Sequence, residues 1–131
     1  MGAAMQNIDT RFMRIAVLYL LVGMSLGIHM GMSGDHGQFP THAHINLVGW
    51  VSFMLYGLVY RSFPAAAQSR LAAWHFWFAN AGVLLLVVGV AGIMNGHEEQ
   101  FEPVAGIGGI ISLIGVLIFA AILYTKIATP K

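Results

Sequence analysis

The sequence predicts an all-α integral membrane protein, built as an antiparallel bundle of four transmembrane helices. Of its 131 residues, 58% are hydrophobic and only 8% are charged. A soluble domain of this size needs more charge to cover its surface, so the composition indicates a membrane protein. Four apolar segments are each long enough to cross a bilayer, which takes about 20 helical residues. We therefore expect residues 1–131 to form one transmembrane domain surrounded by lipid.

The predicted helices follow one another with short connections, so neighbours should pack antiparallel. They cover residues 12–32, 42–63, 71–94 and 103–124. Thr41 is the expected N-cap of the second helix, Pro64 follows its end, and Pro103 lies in the first turn of the fourth. No small-residue cleavage site follows the first helix, so we expect it to stay in the membrane rather than be removed as a signal peptide.

The basic residues predict how the bundle is oriented. All six lie on one side of the predicted helices: Arg11, Arg14, Arg61, Arg70, Lys126 and Lys131. Basic flanks face the cytoplasm in multi-pass proteins, so both termini should be cytoplasmic in a bacterial inner membrane. Four acidic residues fall on the opposite, periplasmic side: Asp35, Glu98, Glu99 and Glu102.

Histidines are concentrated at the predicted outer end of the bundle. Ionisable side chains in or beside a membrane are candidates for function, and imidazole commonly binds haem iron and copper. Five of the six histidines lie at this end: His29, His36, His42, His44 and His97. The sixth, His75, lies beside Trp74 and Trp77 at the inner end, where the group is typical of an aromatic belt. His36 and His97 are equally well explained as solvated loop residues.

His42 and His44 open the second helix but should point in different directions. Residues two positions apart on an α-helix are separated by about 200°, so the two rings cannot readily hold one metal from the same face. His44 is the deeper of the two and the better candidate for a haem held between helices. His42 then has three possible roles. It forms a hydrogen bond at the helix N-terminus, it supports the ligand or lies at an interface, or it binds a different metal centre.

Small residues predict where the first helix approaches a neighbour. Gly23, Gly27 and Gly31 recur at every fourth position, which is typical of close helix packing in membranes. Such a face could contact another helix of the chain, a second copy, or a flat porphyrin.

The segment from His44 to Trp50 reads His-Ile-Asn-Leu-Val-Gly-Trp and is followed by two tyrosines and a proline at positions 56, 60 and 64. This pattern resembles the second helix of subunit I of the haem–copper oxidase superfamily, and most closely that of the nitric oxide reductase large subunit. In that family the histidine of a His-x-Asn-Leu pattern is an axial ligand of the low-spin haem b. The resemblance implies that His44 binds haem b, with Asn46 and His42 beside the site.

The resemblance leaves several sources for the second axial ligand. His29 is the leading candidate, because it should lie at a depth similar to that of His44 on the neighbouring helix. His97 and a histidine from another copy are the alternatives. The family's catalytic subunit resembles three arcs of four helices, so this chain could recreate that layout as a homotrimer. The implied function is electron transfer, or binding of nitric oxide or O2, at the periplasmic side and with a redox partner.

The chain departs from a complete catalytic subunit of that family. It has far fewer helices, and nothing in it resembles the paired histidines of the binuclear centre. The predicted membrane interior also lacks the acidic and lysine side chains of a proton channel. We therefore leave open whether the chain is an enzyme and assign no catalytic residue.

Methionines support an alternative function in copper binding or copper handling at the periplasmic face. Met24, Met30 and Met32 surround His29, and His36 follows in the next loop. Thioethers and imidazoles suit copper, particularly Cu(I), although methionine is also a common filler of apolar helices. A third possibility is a non-catalytic assembly subunit. The sequence contains no cysteine, which excludes iron–sulfur clusters and covalent c-type haem, and no basic patch indicates nucleic acid.

Overall fold

The structure, a computed structural model, describes residues 5–127 and contains four helices long and apolar enough to cross a membrane. They are α1 (Ile8–Ser33), α2 (Phe39–Ser62), α3 (Arg70–Met94) and α4 (Glu98–Lys126). A single helical turn, Pro64–Ala67, connects α2 to α3, and residues 5–127 contain no strand. The prediction of an all-α, multi-pass membrane protein is therefore confirmed. The orientation of the termini stays a prediction, and Lys131, which contributed to it, lies outside the described residues.

All four helices begin earlier than their predicted segments, and α1 begins at Ile8 rather than at residue 12. Helix α2 begins at Phe39, and Thr41 lies inside its first turn, where its hydroxyl donates to the side chain of Gln38. The prediction that Thr41 is the N-cap is therefore wrong, because Gln38 occupies that position. Helix α4 begins at Glu98, since acidic residues are favourable in the first turn of a helix. Pro103 consequently lies in the second turn of α4 rather than in the first.

The end of α2 agrees with the prediction. The helix finishes at Ser62, and Phe63 adopts a non-helical conformation with φ −129° and ψ 75° directly before Pro64. A residue that precedes proline is pushed out of the helical region by contact with the proline ring. We call the end of the bundle where α1 begins and α4 finishes the inner end, and the opposite end the outer end.

Helices α3 and α4 form an antiparallel pair whose backbones touch. A Cβ atom added to Gly82 would overlap the backbone of Ser112, and one added to Gly108 would overlap the backbone of Leu86. Gly89 faces Ala105 in the same way. Small residues therefore hold this pair together along most of its length, as is usual between membrane helices.

Helices α1 and α2 form the second antiparallel pair. Gly23 lies against the side chain of Asn46, and Gly27 lies against the ring of His42. A Cβ atom added to Gly31, the third residue of the predicted stripe, would meet no atom of residues 5–127 within 4 Å. Two glycines of the stripe thus serve contact with α2, and the third does not.

The apolar core joins the two pairs near the inner end. Its buried residues include Phe12 from α1, Phe53 and Tyr60 from α2, Phe76 from α3 and Ile122 from α4. Phe12 contacts the three other rings of this set, with centroids 5.3 Å from Phe53, 5.9 Å from Tyr60 and 5.0 Å from Phe76. The outer end, which carries most of the histidines, lies away from this aromatic cluster.

Candidate functional site

His44 is the last residue of the α-helical start of α2 and lies at the outer end. Its Nδ1 atom is 2.7 Å from the backbone oxygen of Pro40, one turn earlier. A carbonyl oxygen can only accept a hydrogen bond, so Nδ1 must carry the proton and donate it. The remaining ring nitrogen, Nε2, then has a free lone pair. This is the arrangement by which backbone carbonyls orient metal-binding histidines in proteins.

His44 is partly exposed, and α2 carries exposed side chains near it that no other helix within residues 5–127 covers. Leu47 and Val51, in the segment that follows it, are 62% and 40% exposed. Because His44 is itself partly exposed, its ring can be reached from outside the four-helix unit.

His42 is held between α1 and α2 instead. Its Nδ1 atom donates to the backbone oxygen of Gly23 at 2.8 Å, and its ring packs against Gly27. The amide nitrogen of Asn46 donates to the backbone oxygen of His42 at 2.9 Å and lies 3.3 Å and 3.4 Å from the two ring nitrogens. His42 and Asn46 thus form a polar joint between the two helices, while the ring of His44 bonds within α2.

The π-helical segment Ile45–Val51 follows His44 directly. The backbone N–H of Ser52 bonds to the oxygen of Leu47, five residues earlier, and the Ser52 hydroxyl donates to the same oxygen at 2.9 Å. Gly49 in this segment lets the ring of Tyr19 approach the backbone of α2. Segments of π-helix are rare and frequently occur at functional sites, and this one changes the direction of His44 relative to the inner half of α2.

The structure does not bring the other predicted ligands to His44. His29 is exposed, and because Gly27 faces α2, a residue two positions later points about 200° away from that helix. His36 lies exposed in the α1–α2 connection, where its Nδ1 bonds to the backbone oxygen of Gly34 at 3.0 Å. His97 is exposed immediately before α4.

The methionines of the predicted copper cluster also separate. Met30 is buried at 4% exposure, whereas Met24 and Met32 are 55% and 85% exposed on α1. Within residues 5–127, no group of three or more histidine, cysteine, aspartate or glutamate side chains is arranged to hold a metal ion. The histidine and methionine side chains of the predicted site are therefore not gathered into one cluster within residues 5–127.

The position of His75 differs from the prediction. His75 is completely buried, and its Nδ1 atom lies 2.8 Å from the hydroxyl of Tyr60. The prediction of an aromatic belt fits Trp74 and Trp77, which are 59% and 61% exposed, but it is wrong for His75. The signal was present in the helical spacing, because His75 shares a stripe with the small and apolar residues at positions 72, 79, 82 and 83.

Comparison with known proteins identifies relatives of this chain. It is 28% identical over 120 residues to cytochrome c oxidase subunit 1 of Rhodobacter capsulatus, a match covering 69% of the chain and 23% of that protein. It is 29% identical over 108 residues to the cytochrome c oxidase subunit 1 homolog of Azorhizobium caulinodans, and 30% identical over 108 residues to the bacteroid homolog of Bradyrhizobium diazoefficiens. Each of these two matches covers 60% of the chain and 20% of the relative.

The chain thus spans about a fifth of the length of these curated relatives. No family model matches it, and no solved structure matches it. The similarity to three subunits of one kind nevertheless agrees with the resemblance that begins at His44. It confirms the predicted relation of this four-helix membrane protein to subunit 1 of the haem–copper oxidases.

Proposed function

We propose that the chain binds haem b at the outer end of α2, with Nε2 of His44 as one axial ligand. The observation that carries this proposal is the 2.7 Å hydrogen bond from Nδ1 of His44 to the backbone oxygen of Pro40. It fixes the tautomer and the direction of the ring, as backbone carbonyls do for metal-bound histidines elsewhere. Sequence similarity to cytochrome c oxidase subunit 1 supports haem as the group that such a ring would hold.

The second axial ligand comes, in this proposal, from a neighbouring copy of the chain. His42 is engaged by Gly23, and His29 points away from α2, so neither ring is directed toward His44 within one chain. His44 is instead partly exposed, near side chains of α2 that no other helix within residues 5–127 covers. A neighbouring copy could offer its own exposed His29 or His97 there. We therefore propose a homo-oligomer, with a homotrimer as the working hypothesis.

Haem held by His44 and a second histidine would supply one-electron transfer, whereas haem held by His44 alone would leave a position for a diatomic gas such as nitric oxide or O2. The chain's own contribution is to orient His44 through Pro40 and to fix the start of α2 against α1 through His42 and Asn46. We propose that the site faces the periplasm of a bacterial inner membrane, where a redox partner would exchange electrons with it.

Absorption spectroscopy tests the proposed cofactor. The protein would be purified in nanodiscs, and spectra would be recorded after oxidation and after reduction with dithionite, together with iron and copper analysis. We expect sharp reduced α and β bands that disappear in His44→Ala and persist in His36→Ala, whose ring bonds only to its own loop. A colourless protein would refute haem binding. Stoichiometric copper in such a protein would support the copper-handling alternative, and the absence of both cofactors would support an assembly subunit.

Native mass spectrometry of the same nanodiscs tests the oligomer. We expect the haem-loaded protein to contain several copies of the chain. A haem-loaded monomer would overturn the shared site while leaving haem binding by His44 intact.

A further inference from the structure

His75 is an ionisable side chain buried at the point where all four helices meet. Its ring centroid lies 5.1 Å from that of Phe12 on α1, 4.5 Å from Tyr56 on α2 and 5.0 Å from Phe119 on α4. Its exposure is 0%. Ionisable residues at such positions in membrane proteins are costly, and they commonly mark ion paths or proton relays.

Only one of the two ring nitrogens of His75 has a partner. Nδ1 is hydrogen-bonded to the Tyr60 hydroxyl, whereas Nε2 has no hydrogen-bond partner within residues 5–127. A phenylalanine would pack among the surrounding rings, but the buried Tyr60 hydroxyl would lose its hydrogen-bond partner. Nδ1 of the imidazole satisfies that hydroxyl, whereas Nε2 is not explained by packing, and a buried water molecule is the usual partner of such an atom.

Tyr60 borders both this buried ring and a pocket at the inner end whose lining includes charged side chains. The pocket has a volume of about 520 Å³, and Tyr60 is one of its lining residues. Asp9 and Arg61 also line it, and their side chains form an ion pair at 3.5 Å. The Tyr60 side chain, itself only 1% exposed, thus lies between the pocket and His75.

We propose that Tyr60 and His75 form a proton-transfer pair between pocket water and a water molecule bound at Nε2 of His75. A hydroxyl group and an imidazole can each accept a proton on one side and donate one on the other. A hydronium ion in the pocket gives a proton to the Tyr60 oxygen and becomes water, as the hydroxyl proton moves to Nδ1 of His75. Nε2 gives its proton to the bound water, which becomes hydronium, so both side chains end with the charge they had at the start.

The side chains around Tyr60 and His75 are uncharged aromatic groups, which favours a transfer in which the His75 ring keeps its charge. The side chains that contact His75 from α1 and α4 are the phenylalanines Phe12 and Phe119, and α2 adds Tyr56 and Tyr60. The charged groups Asp9 and Arg61 line the pocket on the far side of Tyr60. The relay is independent of haem, because Tyr60 lies sixteen positions after His44, or roughly 24 Å along the axis of α2.

Magic-angle-spinning NMR of the full chain in nanodiscs tests the pair. Histidine ring nitrogens would be labelled with 15N, and the His75 signals would be assigned by their loss in His75→Phe. We expect contact between Nε2 and water, and exchange of the ring proton for deuterium. Tyr60→Phe should slow that exchange about tenfold or more, because it removes the hydroxyl that passes the proton. Tyr56→Phe is the matched control, since Tyr56 touches the same ring edge-on.

Two results would overturn the relay. One is equal exchange rates in Tyr60→Phe and the wild-type protein. The other is a wild-type His75 ring that neither contacts water nor exchanges its proton, a result that needs no folded variant. Both measurements can be made on protein with or without haem, so their failure would not affect the proposed function, and the loss of that function would not affect them.

Discussion

The ring of His44 donates a hydrogen bond from Nδ1 to the backbone oxygen of Pro40 at 2.7 Å. The ring of His42 makes the same kind of bond to Gly23, but that bond crosses from α2 to α1. The two imidazoles are therefore oriented by different elements, although only one residue separates them. This difference gives distinct expectations for the two positions.

Replacing His44 with glycine should abolish the haem absorbance, and free imidazole should restore it. The substitution leaves space for the free base to take the place of the missing ring and to bind iron through the same nitrogen. Titration of the variant with imidazole, followed at the reduced α band, measures the effect. No recovery at saturating imidazole, with the variant folded, would argue against His44 as a ligand.

Replacing His42 with alanine should lower stability and leave the absorbance in place. The substitution removes the bond to the Gly23 oxygen and leaves the side chain of Asn46 with one partner fewer, at a cost of about 1–3 kcal/mol. Thermal unfolding in detergent measures the loss, with His36→Ala as the exposed control. A variant that keeps its stability but loses its bands would instead make His42 a ligand.

Replacing Gly82 with alanine should destabilise the α3–α4 pair by about 1–3 kcal/mol, because the new methyl group overlaps the backbone of Ser112. Gly106 on α4 offers a matched control, since no atom of the described part of the chain lies within 4 Å of a Cβ placed there. Gly106→Ala should therefore be neutral or slightly stabilising. Equal melting temperatures for the two variants would contradict the close approach of the helices.

Deleting Leu47 should disrupt both the contact of His42 and Asn46 with α1 and the proposed haem site at His44. Removal of one residue would convert the π-helical segment to α-helix and turn the start of α2 by about 100° relative to its inner half. His42 would then lose Gly23, and His44 would change direction. Melting temperature and the reduced α band report the two effects. Leu47→Ala is the control for stability and should retain the melting temperature, because Leu47 is 62% exposed.

The four spans could be predicted because lipid selects long apolar helices, which a single chain displays directly. The ends were less predictable, because Glu98 and Glu99 are typical of loops although they also suit the first turn of a helix. Helical spacing indicated the burial of His75, which shares a stripe with small and apolar residues, but hydropathy carries no information about its contacts with three other helices. The π-helical segment forms where backbone N–H groups bond to the oxygen five residues earlier instead of four. The side chains of the sequence do not indicate which of these two spacings occurs.

The candidate site, like the fold, was predictable in part. Helical spacing separated His42 from His44, and the structure gives the two rings different hydrogen-bond partners. The expected pairing of His29 with His44 depended on the rotation of α1, which similar depth along the chain does not determine. Contact between Gly27 and His42 sets that rotation and turns His29 outward.

The placement of the aromatic core makes the two ends of the bundle different. Phe12, Phe53 and Tyr60 lie in the core that joins the helix pairs at the inner end, where opening would expose large rings. Toward the outer end, Gly23 and Gly27 of α1 contact Asn46 and His42 of α2. A group that contacts the exposed side of α2 near His44 therefore lies apart from these rings. Such a group can be bound or lost without disturbing the aromatic core.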